Sequence, residues 1–265
     1  MNDVNQKLFC GVDSGTSATK VVVMNENGDI VGHHTERTGA FAPEVALNNL
    51  KIILDSIGCD MDQVIRTGST GYAREDIAFS DFTKTEITCH SQGCLKYFDG
   101  PFTIVDIGGQ DNKIIRLDEN GKRTGFKMNR KCAAGTGMFI EEIANLMNVP
   151  LGDLNKYAES SLETAKLGSY CTVFTKTEIL TNFRKGDKLP EIVAGVYESI
   201  VKRILEMDAL SGRIVLSGGV VEHNPYIKSV FERLLECEVL IPPHPQLMGA
   251  IGIAIFAADR QRIAS

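Results

Sequence analysis

Runs of apolar residues separated by polar turns divide the chain into two similar halves. Short apolar runs predict strands, and an apolar period of about 3.6 residues predicts helices. In the first half the pattern predicts three strands, a helix and a further strand end, near residues 8–13, 19–25, 29–35, 43–57 and 64–68. In the second half it predicts strands near 102–105, 114–117, 214–216 and 238–241, and helices near 137–148, 173–184, 190–208, 225–236 and 248–258. This order of elements predicts an α/β protein.

We expect two rigidly joined lobes, residues 1–100 and 101–265. Each begins with a strand, a glycine-containing turn, a second strand and an Asn-Gly hairpin turn, at Asn27-Gly28 and Asn120-Gly121. The small residues at 249–254 predict a closely packed terminal helix, which can pack back on the first lobe. Two helices of the second lobe carry apolar residues on one face, Phe139, Ile143, Leu146 and Met147 in one and Val173, Leu180 and Phe183 in the other.

The turn after the first strand of each lobe has the same pattern, Asp-x-Gly-x-x-x-x-Lys. It occurs at Asp13–Lys20 and again at Asp106–Lys113. Neither is a P-loop, because no Gly-Lys-Ser/Thr and no helix follows. Either motif alone is open to interpretation as an ordinary glycine-rich hairpin. The pair indicates two similar lobes that hold a nucleoside triphosphate and Mg²⁺ between them.

The residue types of these loops suit phosphate binding. Glycine lets the backbone approach phosphate oxygens and direct N–H groups at them. The first loop adds hydroxyl donors at Ser14, Thr16, Ser17 and Thr19. An aspartate at a strand end can hold hydrated Mg²⁺, which binds a few carboxylates and keeps most of its waters.

Composition narrows the functional classes. The formal charge of −6 argues against nonspecific nucleic-acid or membrane binding. No run of about 18 apolar residues predicts a transmembrane helix, and the polar residues 1–7 do not resemble a signal peptide. We therefore expect a cytoplasmic protein. Seven cysteines, an odd number, argue against a disulfide framework. Buried packing is the favoured interpretation for most of them, including Cys89 and Cys94, whose spacing around His90 is only a weak zinc signal.

Three segments resemble a known superfamily. The two loops and the strand-Gly-Gly turn at Leu216–Val220 are similar to the actin, sugar-kinase and heat-shock-chaperone ATPases, which implies a two-lobed, actin-like, ribonuclease H-like fold. Within it, the chain resembles the ATP-dependent activators of 2-hydroxyacyl-CoA dehydratases and benzoyl-CoA reductases over nearly its whole length. The segments that carry this are Val105–Asp111, Asn129–Gly137 and Cys171–Phe174, the last two being specific to these activators.

The resemblance implies an iron–sulfur protein. In such activators a homodimer holds one [4Fe–4S] cluster at its interface with two cysteines from each subunit, and Cys132 and Cys171 occupy the matching positions. Two cysteines cannot complete a four-thiolate cluster, but two copies across a two-fold axis can. Each cysteine precedes a predicted helix, whose partial positive charge favours a thiolate.

The implied activity is electron gating. A ferredoxin or flavodoxin would reduce the cluster. ATP binding and hydrolysis would then drive a single low-potential electron to an iron–sulfur partner, with no phosphoryl acceptor. The partner classes are a 2-hydroxyacyl-CoA dehydratase, a benzoyl-CoA reductase or a double-cubane cluster protein.

The same resemblance assigns the nucleotide site. Thr16, Ser17, Ala18, Thr19 and Lys20 should contact phosphate beside Gly15, and Asp13 and Asp106 should organise Mg²⁺. Gln110, next to Gly108 and Gly109, should orient the attacking water, with Asp106 the second catalytic residue. The residues expected to line the ATP or ADP cleft are Gly135, Gly218, Gly219 and Gln246. For Gln246 a solvated loop position is an equal alternative.

One position departs from the family pattern and leaves the identity of the partner open. Lys176 stands where these activators often have an acidic residue, which changes the charge near the expected cluster.

The first alternative function is a small-molecule kinase on the same fold, such as an N-acetylhexosamine or pantothenate-like kinase, which would need a substrate base in the cleft. A nonenzymatic sensor that uses ATP as a switch is the second alternative.

Overall fold

The computed structural model describes residues 6–129, 131–168 and 171–262. Arg130, part of the Asn129–Gly137 segment, and residues 1–5 of the polar N-terminus lie outside them. The described chain divides into two compact units. The first runs to Asp99 and resumes at Leu247, and the second runs from Gly100 to Gln246.

The first unit is built on a five-stranded sheet. Its strands are β1 Leu8–Ser14, β2 Ala18–Asn25, β3 Ile30–Arg37, β4 Val64–Thr70 and β5 Phe82–Thr83. Its helices are α1 Ala42–Ile57, α2 Glu86–Leu95 and, at the far end of the chain, α9 Met248–Arg262. An apolar core under β1, β2 and α1 contains Leu8, Val12, Val21, Leu50 and Ile53.

The second unit has a sheet of the same size and more helices. Its strands are β6 Phe102–Ile107, β7 Asn112–Leu117, β8 Arg123–Asn129, β9 Ile214–Ser217 and β10 Val239–Leu240. Its helices are α3 Gly137–Met147, α4 Leu154–Glu159, α5 Thr172–Lys185, α6 Leu189–Met207, α7 Gly219–His223 and α8 Tyr226–Leu235.

The two sheets share one topology. Their strand orders are β3-β2-β1-β4-β5 and β8-β7-β6-β9-β10, so each strand of the first has a counterpart in the second. In both, the first two strands pair antiparallel, and the first also pairs parallel with the fourth. This repeat agrees with the duplicated hairpin core expected from the sequence.

The two hairpin turns are also built alike. Asn25 Oδ1 accepts hydrogen bonds from the backbone N–H groups two and four residues later, at 3.0 and 2.9 Å. Asp118 Oδ1 does the same in the second unit, at 2.9 Å in both cases. The glycine of each Asn-Gly pair, Gly28 or Gly121, has a positive φ of 84° or 71°, which glycine adopts without a steric cost.

Helix α9 packs unusually close to its neighbours in the first unit. A Cβ on Gly11 of β1 would lie 2.2 Å from the carbonyl oxygen of Ala250. A Cβ on Gly252 would lie 1.9 Å from the carbonyl oxygen of Cys89 in α2. The small residues of the terminal run are therefore required, because any side chain at these crossings would collide with backbone.

Most strands and longer helices lie where the apolar pattern predicts them, but α2, α4, α7 and the short β5 were not predicted. Helix α2 carries the weak zinc candidates. Cys89 and Cys94 are fully buried there. Burial packing is therefore the better interpretation of both thiols.

Helix α5 has its apolar residues on the outside. Thr175 and Ile179 form its buried side, whereas Val173 and Phe174 are each 67 % exposed and Leu180 is 45 % exposed. The apolar period correctly predicts the helix, but several of its apolar side chains are exposed in the described part of the chain.

Candidate functional site

The first Asp-x-Gly loop joins β1 to β2, and its ends face each other across the hairpin. Asp13 pairs with Lys20 in the strand register, and Lys20 Nζ lies 3.1 Å from Asp13 Oδ2. The loop is closed by the Gly15 N–H, which donates to the Ala18 carbonyl at 3.1 Å. Thr16 and Ser17 lie exposed at its tip, which leaves their hydroxyls accessible to a ligand.

The second loop joins β6 to β7 with the same geometry. Asp106 pairs with Lys113 in the register, and Lys113 Nζ lies 3.1 Å from Asp106 Oδ2. The Gly108 N–H donates to the Asp111 carbonyl at 2.9 Å, as its counterpart does in the first loop. Gln110 is exposed at the tip. Two independent segments have thus folded into one loop type.

The environments of the two aspartates differ. Asp106 Oδ1 accepts a hydrogen bond from Ser217 Oγ at 3.1 Å, and its lysine also contacts Asp111 Oδ1 at 2.8 Å. Asp13 is instead enclosed by backbone. A Cβ on Gly71 or on Gly249 would lie 2.8 Å from one of its carboxylate oxygens. The sequence alone did not identify Gly71 or Gly249, because both approach Asp13 from distant elements.

Two hydroxyls of the first loop face inward. Ser14 and Thr19 are fully buried, and their oxygens lie 3.3 Å apart. Thr19 Oγ1 also lies 3.0 Å from Thr38 Oγ1. Thr38 follows β3 and was not singled out from the sequence, since its link to the loop is long-range. The direct phosphate contact expected of Thr19 therefore stays a prediction, with its hydroxyl engaged inside the unit.

The glycine turn after β9 brings the third expected group together. Gly218 has φ 100°, and its N–H donates to the Pro245 carbonyl at 2.9 Å. A Cβ on Gly219 would lie 3.1 Å from Gln246 Nε2. The Gln246 N–H is held by Glu222 Oε2 at 3.3 Å. Gln246 thus lies beside the Gly-Gly turn, and its role in lining the nucleotide cleft stays a prediction.

The segment that leads into α3 is tied to the second loop. The N–H groups of Gly137 and Met138 donate to the carbonyls of Gly108 and Gly109 at 2.9 and 2.8 Å. Gly135, with φ 86°, accepts from the buried Asn112 Nδ2 at 2.9 Å. Residues 135–138 are therefore hydrogen-bonded to the second loop, and they follow Cys132 by only a few positions.

Cys132 and Cys171 are both at least partly exposed, as Cys237 is, whereas the remaining described cysteines are buried. Cys171 is exposed and Cys132 is half-buried. Cys171 is the N-cap of α5, where the helix dipole stabilises a negative charge. Burial raises the pKa of Cys10 and of Cys89 to about 12, and burial also raises the pKa of Cys237. Burial therefore disfavours the thiolate form of those three cysteines.

Lys176 is neutralised inside the unit. Its Nζ lies 2.5 Å from Glu142 Oε1 on α3, so the pair joins α5 to α3. The expected change of charge near Cys171 is therefore offset by a carboxylate of the same chain. Glu178 contributes a second tie, since its Oε1 accepts from the Gly168 N–H at 2.7 Å.

No helix in the described part of the chain is long and apolar enough to cross a membrane.

The sequence model of the BadF/BadG/BcrA/BcrD ATPase family matches residues 10–257. A 2-hydroxyisocaproyl-CoA dehydratase activator from Clostridioides difficile is 33 % identical over 257 residues, covering 95 % of each chain. The (R)-2-hydroxyglutaryl-CoA dehydratase activating ATPase of Acidaminococcus fermentans is 32 % identical over 251 residues, covering 93 % of this chain and 95 % of that one.

A comparison with solved structures agrees with these sequence matches. The activator of the 2-hydroxyisocaproyl-CoA dehydratase from Clostridium difficile, solved with bound ADPNP, superposes with a TM-score of 0.90 at 32 % identity. The match covers 97 % of this chain and 96 % of that chain. The predicted two-lobed actin-like ATPase fold is confirmed.

Proposed function

The chain belongs to the BadF/BadG/BcrA/BcrD ATPase family, and we propose that it is an ATP-hydrolysing iron–sulfur activator of a partner enzyme. In this proposal it passes single low-potential electrons from a ferredoxin or flavodoxin to an iron–sulfur acceptor. Relatives are named as activators of dehydratases, and a further one as a benzoyl-CoA reductase subunit. The acceptor class proposed here is a 2-hydroxyacyl-CoA dehydratase or a related reductase.

The observation that carries the proposal is the accessibility of Cys132 and Cys171. They lie in the unit that bears the second phosphate loop, where Cys171 is exposed and Cys132 is half-buried. Four thiolates hold a [4Fe–4S] cluster, so two copies of this chain supply the full set. When bound, the cluster would supply a one-electron carrier. The exposed position of Cys171 at the start of α5 suits such sharing between subunits.

The loops supply the ATPase chemistry in this proposal. The Asp13 and Asp106 carboxylates would hold a hydrated Mg²⁺, which would neutralise phosphate charge when bound. Lys20 and the exposed Thr16 and Ser17 hydroxyls donate to phosphate oxygens. The exposed amide of Gln110 orients the attacking water. Of these side chains, Thr16, Ser17 and Gln110 are exposed at the loop tips.

The backbone offers a route from nucleotide to cysteine. Gly108 and Gly109 accept hydrogen bonds from the first residues of α3. A change in the loop on hydrolysis therefore displaces residues 135–138 and, through them, the segment that carries Cys132. A bistable loop coupled in this way is what an ATP-driven switch needs.

Anaerobic purification tests the cluster. The wild-type protein should be brown and contain about four iron and four sulfide per dimer. Cys132→Ala and Cys171→Ala should each lose the iron while binding ADP as tightly as wild type. Cys237→Ala is the matched control, because this half-buried thiol of the same unit should be dispensable. A colourless anaerobic protein without iron would sink the proposal.

A second measurement addresses the reaction. ATP hydrolysis should be slow alone and faster when a reduced iron–sulfur acceptor is added. Steady transfer of phosphate to an added sugar or pantothenate would instead establish a small-molecule kinase.

A further inference from the structure

We propose that Thr38 is a positioning residue for the first phosphate loop, acting through a buried chain of hydroxyl groups. The inference rests on the ATPase role of that loop. Thr38 lies just after β3, it is 5 % exposed, and it binds the loop twice. Its Oγ1 donates to the Gly15 carbonyl at 2.7 Å. Its N–H donates to the Ser17 carbonyl at 3.2 Å.

Counting protons fixes the direction of hydrogen-bond donation along the chain of hydroxyl groups. Each hydroxyl has one proton to donate, and Thr38 gives its proton to the Gly15 carbonyl. In its 3.0 Å contact with Thr19, Thr38 must then accept, so Thr19 is the donor. Thr19 must likewise accept in its 3.3 Å contact with Ser14. The chain therefore runs from Ser14 through Thr19 and Thr38 to Gly15.

This direction of donation decides which hydroxyls of the loop can donate to phosphate. The hydroxyl protons of Ser14 and Thr19 point along the chain of hydroxyl groups and are not available to phosphate. The exposed Thr16 and Ser17 supply the hydroxyls that remain. Ser14 and Thr19 thus support the loop from within, and buried hydroxyls linked in series stabilise one another.

The loop backbone is also held by helix α1. Asn49 is fully buried, and its Nδ2 donates to the Thr19 carbonyl at 3.1 Å. The loop is consequently held on one side by Thr38 and beneath by Asn49. Because both anchors come from other elements, the loop keeps its shape before nucleotide arrives. Preorganisation of this kind lowers the cost of binding.

The test compares Thr38→Val, which removes the hydroxyl but keeps the shape, with Thr38→Ser, which keeps the hydroxyl. Thr103→Val is the control, since Thr103 is a buried threonine at the start of β6 in the other unit. The full-length proteins are titrated with Mg²⁺ and the nonhydrolysable analogue AMPPNP, and their ATPase kinetics and melting temperatures without nucleotide are measured.

Thr38→Val should weaken AMPPNP binding about tenfold, the effect of losing a buried hydrogen bond and leaving its carbonyl unsatisfied. KM for ATP should rise by a similar factor, with kcat within about twofold of wild type. Thr38→Ser should restore both, and Thr103→Val should leave both unchanged.

Two outcomes overturn the inference. One is AMPPNP binding by Thr38→Val within about twofold of wild type. The other is a Thr38→Ser variant as weak as Thr38→Val, which would show that shape and not the hydroxyl matters. Failure of the wild-type protein to bind AMPPNP would instead count against the ATPase role of the loop.

Discussion

Lys113 Nζ lies 3.1 Å from Asp106 Oδ2, and both side chains are almost completely buried. Lys20 and Asp13 repeat the same 3.1 Å contact in the other unit, but the lysine there is 15 % exposed. The loops thus share an internal ion pair and differ in how far it is removed from water. The cost of breaking such a pair rises with its burial.

Lys113→Met should destabilise the second unit by about 3–5 kcal/mol, because it leaves buried carboxylate charge without its lysine. Lys20→Met should cost less and affect nucleotide affinity more, since Lys20 is nearer solvent. Urea unfolding and AMPPNP titration of both variants check the prediction. Equal losses of stability from the two substitutions would contradict it.

Gly218 should tolerate no side chain. It has φ 100°, and a Cβ there would lie 2.3 Å from the Ile107 carbonyl oxygen. Gly218→Ala should therefore shift the turn, reducing both stability and nucleotide affinity. Gly212→Ala is the matched control, because Gly212 also has a positive φ, 75°, but has no atom within 4 Å of the added Cβ. Gly212→Ala should lose only about 1–2 kcal/mol of stability. Equal nucleotide affinities of the Gly218→Ala and Gly212→Ala variants would refute the packing argument.

Local signals predicted the duplicated hairpins well. Alternating apolar residues and Asn-Gly turns act over a few residues, so β1–β2 and β6–β7 were visible in the sequence. Helix α2 was missed because its character comes from distant packing. A Cβ on Gly93 would lie 2.1 Å from the carbonyl oxygen of Met248, far along the chain. No local sequence pattern predicts that contact.

In the candidate site, too, local motifs were predicted from the sequence and long-range contacts were not. The Asp-x-Gly-x-x-x-x-Lys pattern identified Asp13, Lys20 and their counterparts, since the strand register brings the two ends of each loop together. Thr38 reaches the first loop from the end of β3 and has no motif of its own. The apolar period of α5 predicted a helix but not which side is covered, because Val173 and Phe174 are each 67 % exposed in the described part of the chain.

Asp208 should make stability depend on acid pH. A hydrogen bond from Arg116, with help from Lys127, lowers the pKa of Asp208 to about 2. A lowered folded-state pKa contributes stability that is present above about pH 4 and is lost as pH falls towards about 2. Asp208→Asn should therefore be less stable than wild type at pH 7, and the difference should shrink below about pH 4.

Urea unfolding at several pH values measures that difference. Glu206→Gln is the control, because Glu206 is 42 % exposed in its contact with Arg203 and exposed pairs contribute little. A gap between Asp208→Asn and wild type that stays constant down to pH 2 would exclude the linkage.

Cysteine reactivity should separate two classes of thiol. In cluster-free protein at pH 8, Cys171 and then Cys132 should react with iodoacetamide first, because they are accessible. With a pKa of about 12, Cys10 and Cys89 are about one part in 10⁴ thiolate at that pH and should react only after unfolding. Mass spectrometry of timed samples gives the order, with guanidinium-unfolded protein as the reference. Labelling of Cys10 as fast as Cys171 would contradict the buried position of β1.

The uncovered face of α5 should be a contact between two copies of this chain. Val173 and Phe174 follow Cys171 directly and are each 67 % exposed. Large apolar side chains grouped on a surface usually mark an interface, and a cluster shared across a two-fold axis would bring the same face of both copies together. Phe174→Glu should then place two like charges in that contact and weaken the dimer more than tenfold.

Sedimentation velocity over a range of protein concentrations, under anaerobic conditions, measures the effect. Leu162→Glu is the matched control, because Leu162 is also fully exposed in the same unit but lies outside α5. That variant should remain dimeric and retain its iron, whereas Phe174→Glu should lose iron as it dissociates, since each subunit alone offers only Cys132 and Cys171. A Phe174→Glu protein that stays dimeric with full iron would place the subunit contact elsewhere.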